Sequence, residues 1–362
     1  QGLDLHRRAS CGIKKMIIEN QVSFTNYYVV LTAYNEEQTV LESFLSIKKA
    51  IEYSLKQHPE LVNISIVFCH NGCTDKTPDI ISDIQKSYSD NKITISVLLS
   101  PKGKAIAQNT CMRHIRSNYV AGSPIAFIDT DVLIDEKVID IFLSQLKLHP
   151  NLKVVGSHPI PIPYEGNSFI RSFWHHVLNC RAYFPKSEMT VHFAPEFHPY
   201  ADTDPQPIGA KYEKRSKIYF HGRGFILRDE SIWDTPKDAI AEDIFLDRSV
   251  HFRYGPGSIR VMYNAKVFFH PMNRLKTFHR TFFRIHHDLR LLKREHPEYN
   301  TMREFAKTTL DWNYICTLNL RWKTNFSIYY LVRKYYHFLF KHKLMYSKAS
   351  AFDIWSYDRK NG

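Results

Sequence analysis

The sequence predicts an α/β protein in which helices flank a mostly parallel sheet and a helical region follows at the C-terminal end. Apolar runs of strand length alternate with segments of helical periodicity between residues 27 and 148, a pattern typical of parallel sheets. Hydrophobic residues make up 44% of the 362 residues, which is enough for a large core. No fixed-period repeat is present, so we expect one or two globular domains.

The first strand is predicted at residues 27–33, which are rich in β-branched and aromatic residues. The helix after it is expected at 36–55, where apolar residues recur at helical spacing. Thr77 and Pro78 mark the start of the next helix. Further strands are expected at 64–68, 93–99 and 124–128, and further helices at 103–117 and 135–149.

The second half of the chain is more irregular, with proline-rich stretches at 159–163 and 195–207. Its periodicity still predicts secondary structure. Strands are expected at 218–227 and 259–269, and helices at 169–182, 242–252, 275–295, 302–317 and 326–341.

Polar residues follow each of the first four predicted strands. In a parallel sheet the carboxyl ends of the strands meet at one edge, and ligands bind there. We therefore expect these residues to form one site. They lie at 34–36, 70–71, 100–102 and 129–131.

The chain carries a formal charge of +13, from 49 Lys and Arg against 36 Asp and Glu. Such an excess suits polyanionic partners, which include nucleotide diphosphates, nucleic acid and an anionic membrane. No zinc-finger, RNP or helix-turn-helix signature supports nucleic acid, so we expect no nucleic-acid partner. Zinc binding by Cys69 and Cys73 is disfavoured because no second Cys or His pair accompanies them.

Cellular location is predicted from three features of the chain. Its six cysteines are scattered and form no disulfide framework. The sequence has no signal peptide and no run of 18 apolar residues, so we expect a cytoplasmic protein. The basic, aromatic stretch at 329–340 has two interpretations: it lies on an anionic membrane, or its aromatic rings pack inward while its charges face water.

Asp129 and Asp131 flank Thr130 directly after the fourth predicted strand. Two carboxylates at positions i and i+2 can turn toward one ligand once the chain leaves the sheet. Mg²⁺ and Mn²⁺ favour carboxylate oxygens and keep coordination positions open for phosphates. The same pair also suits a solvated turn or a helix N-cap, so the motif alone leaves both interpretations open.

Four motifs occur in order at successive strand ends: 31–37, 71–75, 102–109 and 129–131. Together they resemble the nucleotide-sugar-binding half of family-2 glycosyltransferases, which have the Rossmann-like GT-A fold. The resemblance covers about residues 27–131 and returns between 221 and 284. It implies an inverting, metal-dependent enzyme that transfers a sugar from a UDP- or GDP-sugar to an acceptor hydroxyl.

The resemblance also implies donor-binding and metal-binding residues. Residues 33–36 correspond to the loop that holds the nucleoside, and Asp75 corresponds to the residue that reads the base. His70 and Asn71 replace the acidic pair usual in the family, so the base need not be uracil. The implied donor-binding residues are Ala33, Tyr34, Asn35, Glu36, Asn71, Asp75, Lys104, Asn109, Asp129 and Thr130. The implied ligands of Mn²⁺ or Mg²⁺ are Asp131, Asp129 and His270.

Glu242 and Asp243 are the implied catalytic acids, and Asp243 corresponds to the general base that deprotonates the acceptor. Such acids also suit the N-terminus of a helix. Arg280 and Arg284 lie four residues apart on one helix face and match the family's arginine-rich helix, where guanidinium groups neutralise the diphosphate leaving group. The Gln and Trp that processive synthases carry in this helix are missing, so the resemblance implies a non-processive enzyme.

The predicted organisation is an N-terminal extension (1–26), a nucleotide-sugar-binding half (27–155), an acceptor-binding and catalytic half (156–273) and a basic, aromatic helical region (274–362). The acceptor is left open between a glycan, a lipid, a protein and a small molecule. A sugar-phosphate nucleotidylyltransferase is an alternative, but it would need a glycine-rich loop after the first strand, and residues 32–39 contain no glycine. A basic nucleic-acid-binding protein is the alternative from another class, supported by charge alone.

Overall fold

The computed structural model describes residues 23–192, 213–214, 220–236, 239, 242–255, 257–301 and 306–346. Most of the predicted N-terminal extension and the whole proline-rich stretch 195–207 lie outside the described residues. The first part of the strand predicted at 218–227 also lies outside them.

The described strands, in chain order, are β1 (Asn26–Ala33), β2 (Asn63–Asn71), β3 (Ile93–Ser100), β4 (Ile125–Asp129), β5 (Val132–Ile134), β6 (Val154–Pro161), β7 (Glu188–His192), β8 (Glu213–Lys214), β9 (Gly224–Leu227), β10 (Ile259–Phe269) and β11 (Ala306–Leu310). The described helices are α1 (Val40–Gln57), α2 (Thr77–Tyr88), α3 (Lys104–Ser117), α4 (Val138–Leu148), α5 (Phe169–Tyr183), α6 (Glu242–Tyr254), α7 (Leu275–Glu295), α8 (Trp312–Ile315) and α9 (Leu320–Tyr346). Short 3₁₀ turns lie at Pro185–Ser187, Glu230–Ile232 and Pro297–Thr301.

An eight-stranded sheet forms the centre of the fold, in the order β3-β2-β1-β4-β9-β6-β10-β5. Strands β1 to β4, β6 and β10 run in one direction, whereas β9 and β5 are antiparallel to their neighbours. The carboxyl ends of β1, β2, β4, β6 and β10 therefore share one edge of the sheet. A smaller sheet has the order β11-β7-β8.

Both faces of the large sheet are covered by helices. Side chains of a strand alternate between the two faces, so each strand contributes residues to two cores. In β1, Val29 and Leu31 belong to the core on one face, with residues of α1, α2 and α4. Tyr28 and Val30 belong to the core on the other face, with residues of α3 and α6. This burial on both sides explains why β1 reads as a continuous apolar run.

The C-terminal helices form a third apolar cluster with α5. Val177, Phe278, Phe282, Phe326 and Tyr336 are among its buried members. One side of α9 therefore packs inward, as one interpretation of the aromatic stretch predicted. None of the described helices combines the length and hydrophobicity that a bilayer crossing requires.

The prediction of a helix at 302–317 is wrong for most of the described residues 306–317. Residues 306–310 form β11, which pairs antiparallel with β7, and only Trp312–Ile315 is helical. Thr308 and Thr309 are β-branched, and pairing with β7 decides their conformation over a weak helical pattern.

Strands β5 to β8 were not predicted. β6 includes Pro159 and Pro161, which the sequence suggested were in an irregular stretch. β9 pairs with β6 only at Val154–Gly156, so the prolines stand where β10 is the one neighbouring strand among the described residues. Proline cannot donate a ladder hydrogen bond, so it is tolerated at positions where a strand has a neighbour on one side only.

Candidate active site

The carboxyl ends of the central strands are joined by buried polar side chains. Asn71 donates from Nδ2 to the carbonyl of Ala33 at 2.8 Å, and its Oδ1 accepts from the N–H of Gly103 at 3.2 Å. The Thr130 hydroxyl donates to the carbonyl of Thr32 at 3.0 Å. Asn71 and Thr130 therefore brace this edge of the sheet, and their contact with a donor stays a prediction.

The loop after β1 is tied to the turn after β2. Asn35 has a φ of 55°, which asparagine tolerates, and its Oδ1 accepts from the N–H of Thr74 at 2.8 Å. Asp75 accepts from the N–H groups of Glu37 and Thr77 at 3.2 and 3.1 Å. Burial alone would raise the pKa of Asp75, but these hydrogen bonds lower it overall. The predicted nucleoside loop and Asp75 are therefore adjacent.

Tyr34 and Glu36 complete this loop. The Lys102 ammonium lies 4.7 Å from the centroid of the Tyr34 ring, a cation–π distance. The N–H of Glu36 donates to the Thr77 hydroxyl at 2.8 Å. An aromatic ring and a cation beside each other suit a nucleotide, which offers both a base and phosphates.

Lys104 joins two segments that are distant in sequence. Its Nζ lies 2.7 Å from Asp129 and 2.7 Å from Glu242. Burial alone would lower the pKa of Lys104, but the two carboxylates raise it overall, so the side chain is an ammonium. Lys104 thus bridges Asp129, the first acid of the Asp-Thr-Asp motif, and Glu242, the first acid of the Glu-Asp pair.

Asn109 is engaged away from this cluster. Its Nδ2 donates to the carbonyl of Thr235 at 2.9 Å, and its Oδ1 accepts from the indole N–H of Trp233 at 2.7 Å. Trp233 in turn stacks on Phe127 of β4 with ring centroids 4.5 Å apart. Asn109 therefore links α3 to the segment after β9.

Asp243 is held at the start of α6 by two backbone N–H groups. Gly222 donates to Oδ2 and Ile244 donates to Oδ1, each at 2.9 Å. A Cβ atom on Gly222 would lie 3.2 Å from the Oδ2 of Asp243, closer than most Cβ contacts. The glycine therefore lets the turn before β9 approach the carboxylate directly.

Arg223, in the same turn, was missed by sequence reasoning. Its guanidinium carbon lies 4.0 Å from the centroid of the Phe269 ring. Burial lowers the pKa of Arg223, while the charges of Asp131, Asp129 and Asp243 raise it. Arg223 thus lies within electrostatic reach of all three acids. The sequence signal that could have identified Arg223 is its position between two glycines at the start of a strand.

Asp131 and His270 line one small cleft with Thr39, Glu42 and Ile162. The antiparallel pairing of β5 with β10 brings them there. Within the described part of the chain, no three His, Cys, Asp or Glu side chains form a group that could hold a metal alone. Enzymes that act on phosphates commonly hold Mg²⁺ through one or two protein ligands, water and the substrate. The donor atoms of Asp131 and His270, with Asp129 nearby, fit such an ion.

Arg280 and Arg284 lie one turn apart on α7, whose Phe278 and Phe282 are buried in the third cluster. Arg284 lies within electrostatic reach of Arg223 and Asp288. The helix thus brings Arg284 toward the acidic side of the site, and the role of Arg280 there stays a prediction.

Two further buried acids, Asp247 and Asp288, surround Asp243 and were also missed. Burial, with a smaller contribution from the charge of Asp243, raises the pKa of Asp247 to about 7 against the effect of Arg248. Burial likewise raises the pKa of Asp288 to about 7, against the effect of Arg284. Asp247 follows Asp243 by one helical turn, on the same side of α6.

Solved glycosyltransferase structures resemble the protein at low identity. The mannosyltransferase PcManGT from Pyrobaculum calidifontis, in complex with GDP-Man and Mn²⁺, has a TM-score of 0.44 at 15% identity, and the likeness covers 72% of this chain and 61% of that one. Glucosyl-3-phosphoglycerate synthase from Mycobacterium tuberculosis, with Mn²⁺ and UDP-Glc, has a TM-score of 0.41 at 14% identity, covering 78% and 82%. S. aureus TarS 1–349 with UDP has a TM-score of 0.42 at 14% identity, covering 71% and 63%.

This chain therefore spans less than two thirds of PcManGT and of the TarS fragment. No curated protein sequence matches it. A family model described as "Glycosyl transferase family 2" matches residues 28–234, which is more than half of the chain. The protein therefore belongs to glycosyl transferase family 2, as its strand-end motifs predicted.

Proposed function

We propose that this glycosyltransferase moves a sugar from a UDP- or GDP-sugar to an acceptor hydroxyl in one inverting displacement. The observation that carries the proposal is the contact of Lys104 with both Asp129 and Glu242. It supports one site in which the proposed donor and metal residues lie beside the proposed base, although Glu242 and Asp243 come from beyond residues 28–234, which the family model matches. A single displacement needs this proximity, since donor and acceptor must react within one site.

Asp243 is the proposed general base. Its carboxylate is fixed by the N–H groups of Gly222 and Ile244, so it loses little freedom when the acceptor binds. As the acceptor oxygen bonds to the anomeric carbon, its proton passes to Asp243 and the bond to the diphosphate breaks. Attack from the side opposite the diphosphate inverts the configuration of that carbon.

Asp131 is the proposed principal ligand of Mn²⁺ or Mg²⁺, with Asp129 and His270 as further ligands. When bound, such an ion offsets the negative charge of the diphosphate. Arg280 and Arg284 are proposed to bind the diphosphate as it leaves, since guanidinium groups match phosphate oxygens in geometry and charge. Arg284 lies within electrostatic reach of Arg223, which itself interacts with Asp131.

The donor's nucleoside is proposed to lie on the loop after β1. Tyr34 offers a ring face beside Lys102, and Asp75 anchors the loop through backbone hydrogen bonds. Ala33, Asn35 and Glu36 are proposed to contribute from the same loop, and Asn109 is proposed to contribute from α3, where it also bonds to Thr235 and Trp233. Asp75 and Asn109 already form hydrogen bonds with protein groups. Each is therefore proposed to contact the donor in addition to these bonds.

The outer side of α9 supports a peripheral membrane contact as a further proposal. Leu331, Tyr335 and Phe338 are exposed there and recur at helical spacing. The helix contains Arg321, Lys323, Arg333, Lys334, Lys341 and Lys343 but no acidic residue. Exposed aromatic rings among cations suit an anionic bilayer surface. Flotation with vesicles containing phosphatidylglycerol, against pure phosphatidylcholine vesicles, tests this contact.

The proposed activity is tested with a panel of nucleotide sugars, beginning with GDP-mannose and UDP-glucose, each with Mn²⁺. We expect one of them to raise the melting temperature and to be hydrolysed slowly without acceptor. Asp131→Asn should remove both effects. A protein that instead forms a nucleotide sugar from a sugar phosphate and a nucleoside triphosphate would be a nucleotidylyltransferase, and the proposal would be wrong.

A further inference from the structure

A cavity of about 280 Å³ lies at the carboxyl ends of β6 and β10, beside the proposed metal cleft. These parallel neighbours end at the same edge of the sheet as β1 and β4. The cavity is formed by the segment after β6, the start of the segment after β10 and one residue of α5. Its lining is Ile162, Pro163, Tyr164, Glu165, Gly166, His175, His270, Pro271 and Asn273.

The two walls of the cavity are bonded to each other. The buried Asn179 donates from Nδ2 to the carbonyl of His175 at 2.7 Å and to that of Met272 at 2.8 Å. One amide thus joins α5 to the segment after β10. His175 is further fixed by a 2.6 Å hydrogen bond between its Nε2 and the Tyr183 hydroxyl. The cavity is therefore held by buried polar contacts on one side, whereas Glu165 and Gly166 at its other side are exposed.

The cavity opens toward the reacting groups. His270 and Ile162 line both this cavity and the cleft that contains Asp131. The ring of Phe269, next to His270, contacts the guanidinium group of Arg223. The charge of Asp243 acts on that same guanidinium group. In the sheet order, β6 and β10 stand between β9, whose preceding turn contacts Asp243, and β5, which follows Asp131. A molecule in the cavity would therefore lie at the part of the edge between these two acids, where an acceptor has to bind.

In the metal-free protein, the side chains of the lining disfavour an anionic ligand. The nine described lining residues include no Lys or Arg, although the chain as a whole carries a charge of +13. Glu165 is acidic, and burial with the nearby His176 lowers the pKa of His175 to about 4, so that its imidazole is neutral. A phosphate or carboxylate would meet Glu165 without a lysine or arginine to balance it.

The remaining lining suits a neutral molecule with many hydroxyl groups. Tyr164 offers an aromatic face, Ile162 and Pro271 offer apolar surface, and Glu165 and Asn273 offer hydrogen-bonding groups. The volume is just below the roughly 300–1,000 Å³ of pockets for drug-sized ligands, so it suits one sugar ring. The exposed side leaves room for a longer chain to continue outside.

We propose that this cavity binds one neutral, hexose-sized sugar unit of the acceptor and excludes sugars that carry a phosphate. The proposal rests on the proposed glycosyltransferase function, and it narrows the acceptor to a neutral sugar. A free sugar and the terminal sugar of a glycan share this chemistry. The first would fill the cavity alone, whereas the second would gain affinity from units outside it.

Saturation-transfer NMR on the full chain tests the proposal without requiring turnover. The probes are methyl glycosides of glucose, galactose, mannose and N-acetylglucosamine, their 6-phosphates and the matching disaccharides. We expect at least one methyl glycoside to bind at least tenfold more tightly than its 6-phosphate. Tighter binding of the disaccharide would identify a glycan end, and equal binding would identify a free sugar.

Variants of two lining residues make the test specific. Glu165→Ala with Asn273→Ala should weaken sugar binding at least tenfold, whereas Glu52→Ala, at an exposed position on α1, should leave it unchanged. Glu165→Lys should shift the preference toward the 6-phosphate.

Binding of UDP or GDP with Mn²⁺ is followed by thermal shift in the same samples. In the wild-type chain, nucleotide binding without sugar binding would overturn the cavity proposal alone, and sugar binding without nucleotide binding would overturn the proposed function alone. A wild-type preference for the 6-phosphates, or unchanged binding in the double variant, would also overturn the cavity proposal.

Discussion

The ammonium group of Lys104 lies 2.7 Å from a carboxylate oxygen of Glu242, the residue immediately before the proposed base. The same ammonium contacts Asp129 at the end of β4. Burial raises the pKa of both carboxyl groups, and the charge of Lys104 counteracts that effect. One cation therefore links α3, β4 and α6, and its loss would affect all three.

We expect Lys104→Met to destabilise the protein by roughly 3 kcal/mol, because removal of one partner leaves buried carboxylates uncompensated. Urea unfolding at pH 7 measures the change. Lys86→Met is the matched control, since Lys86 lies 3.8 Å from Asp83 in a largely exposed pair, and such surface pairs are worth about 0–1 kcal/mol. Adding Glu242→Gln should recover part of the loss. A Lys104→Met variant as stable as the control would show that the pairing does not stabilise the fold.

We expect Asp243→Asn to reduce kcat by about 10²–10⁴-fold, the usual contribution of a general base, while the KM for the donor stays unchanged. The amide oxygen can still accept the hydrogen bond from Gly222, so the turn should keep its position. Steady-state kinetics with the identified donor and acceptor give both constants. Asp234→Asn, at a largely exposed aspartate, is the control. Equal losses of kcat in both variants would remove Asp243 from the mechanism.

Gly222 and Gly224 should respond differently to substitution by alanine. At Gly222 the new Cβ would press on the Asp243 carboxylate at 3.2 Å, so we expect kcat to fall with little change in stability. At Gly224 it would meet the Ser157 hydroxyl at 2.9 Å and Val267 at 3.1 Å inside the sheet, so we expect a loss of about 1–3 kcal/mol. Thermal unfolding and steady-state kinetics on both variants separate the two effects. Equal effects on stability would contradict the distinction.

The donor side of the site could be predicted because its residues follow strands that run in parallel. Asp129 ends a strand whose apolar pattern is clear, Asp75 and Lys104 follow such strands within one turn of chain, and the topology brings these positions to one edge. The family match confirms the predicted family and fold class. The roles of single residues stay predictions.

The rest of the site depends on contacts between residues that are far apart in sequence. Arg223 lies against Phe269, and no local pattern around either residue predicts that contact. The buried state of Asp288 likewise follows from the packing of α7, because an isolated acid on an amphipathic helix would be expected at the surface. Pairing of β11 with β7 overrode the helical pattern at 302–317 for the same reason.

The contribution of Asp247 to stability should fall as the pH rises from about 4 to about 7. Burial raises its pKa in the folded protein from 3.8 to about 7, so the folded state holds a proton that the unfolded state has lost. The stabilisation is complete below the unfolded pKa and is lost as the pH passes the folded pKa. Asp288, whose pKa is also raised to about 7, acts in the same direction, whereas His175 and His251, whose pKa values are lowered to about 4, act in the opposite direction. Asp247→Asn is therefore compared with wild type, and it should gain stability relative to wild type between pH 4.5 and pH 8, on the order of 4 kcal/mol at most. Urea unfolding of both proteins at the two pH values measures this gain, and the same pH dependence in both would show that Asp247 does not titrate in this range.

Removal of divalent metal should abolish turnover, and addition of Mn²⁺ should restore it. If Asp131 is the principal ligand, Asp131→Asn should remain inactive at every metal concentration, because an amide is a far weaker ligand than a carboxylate. His270→Gln should instead raise the Mn²⁺ concentration for half-maximal activity by about 10-fold to 100-fold, the scale for loss of a supporting group at a metal site. His149→Gln serves as the control, since His149 lies at the end of α4. Metal titrations of activity separate these outcomes. A His270→Gln variant with wild-type Mn²⁺ dependence would remove His270 from the proposed ligands and leave Asp131 and the donor diphosphate as the main anchors of the ion.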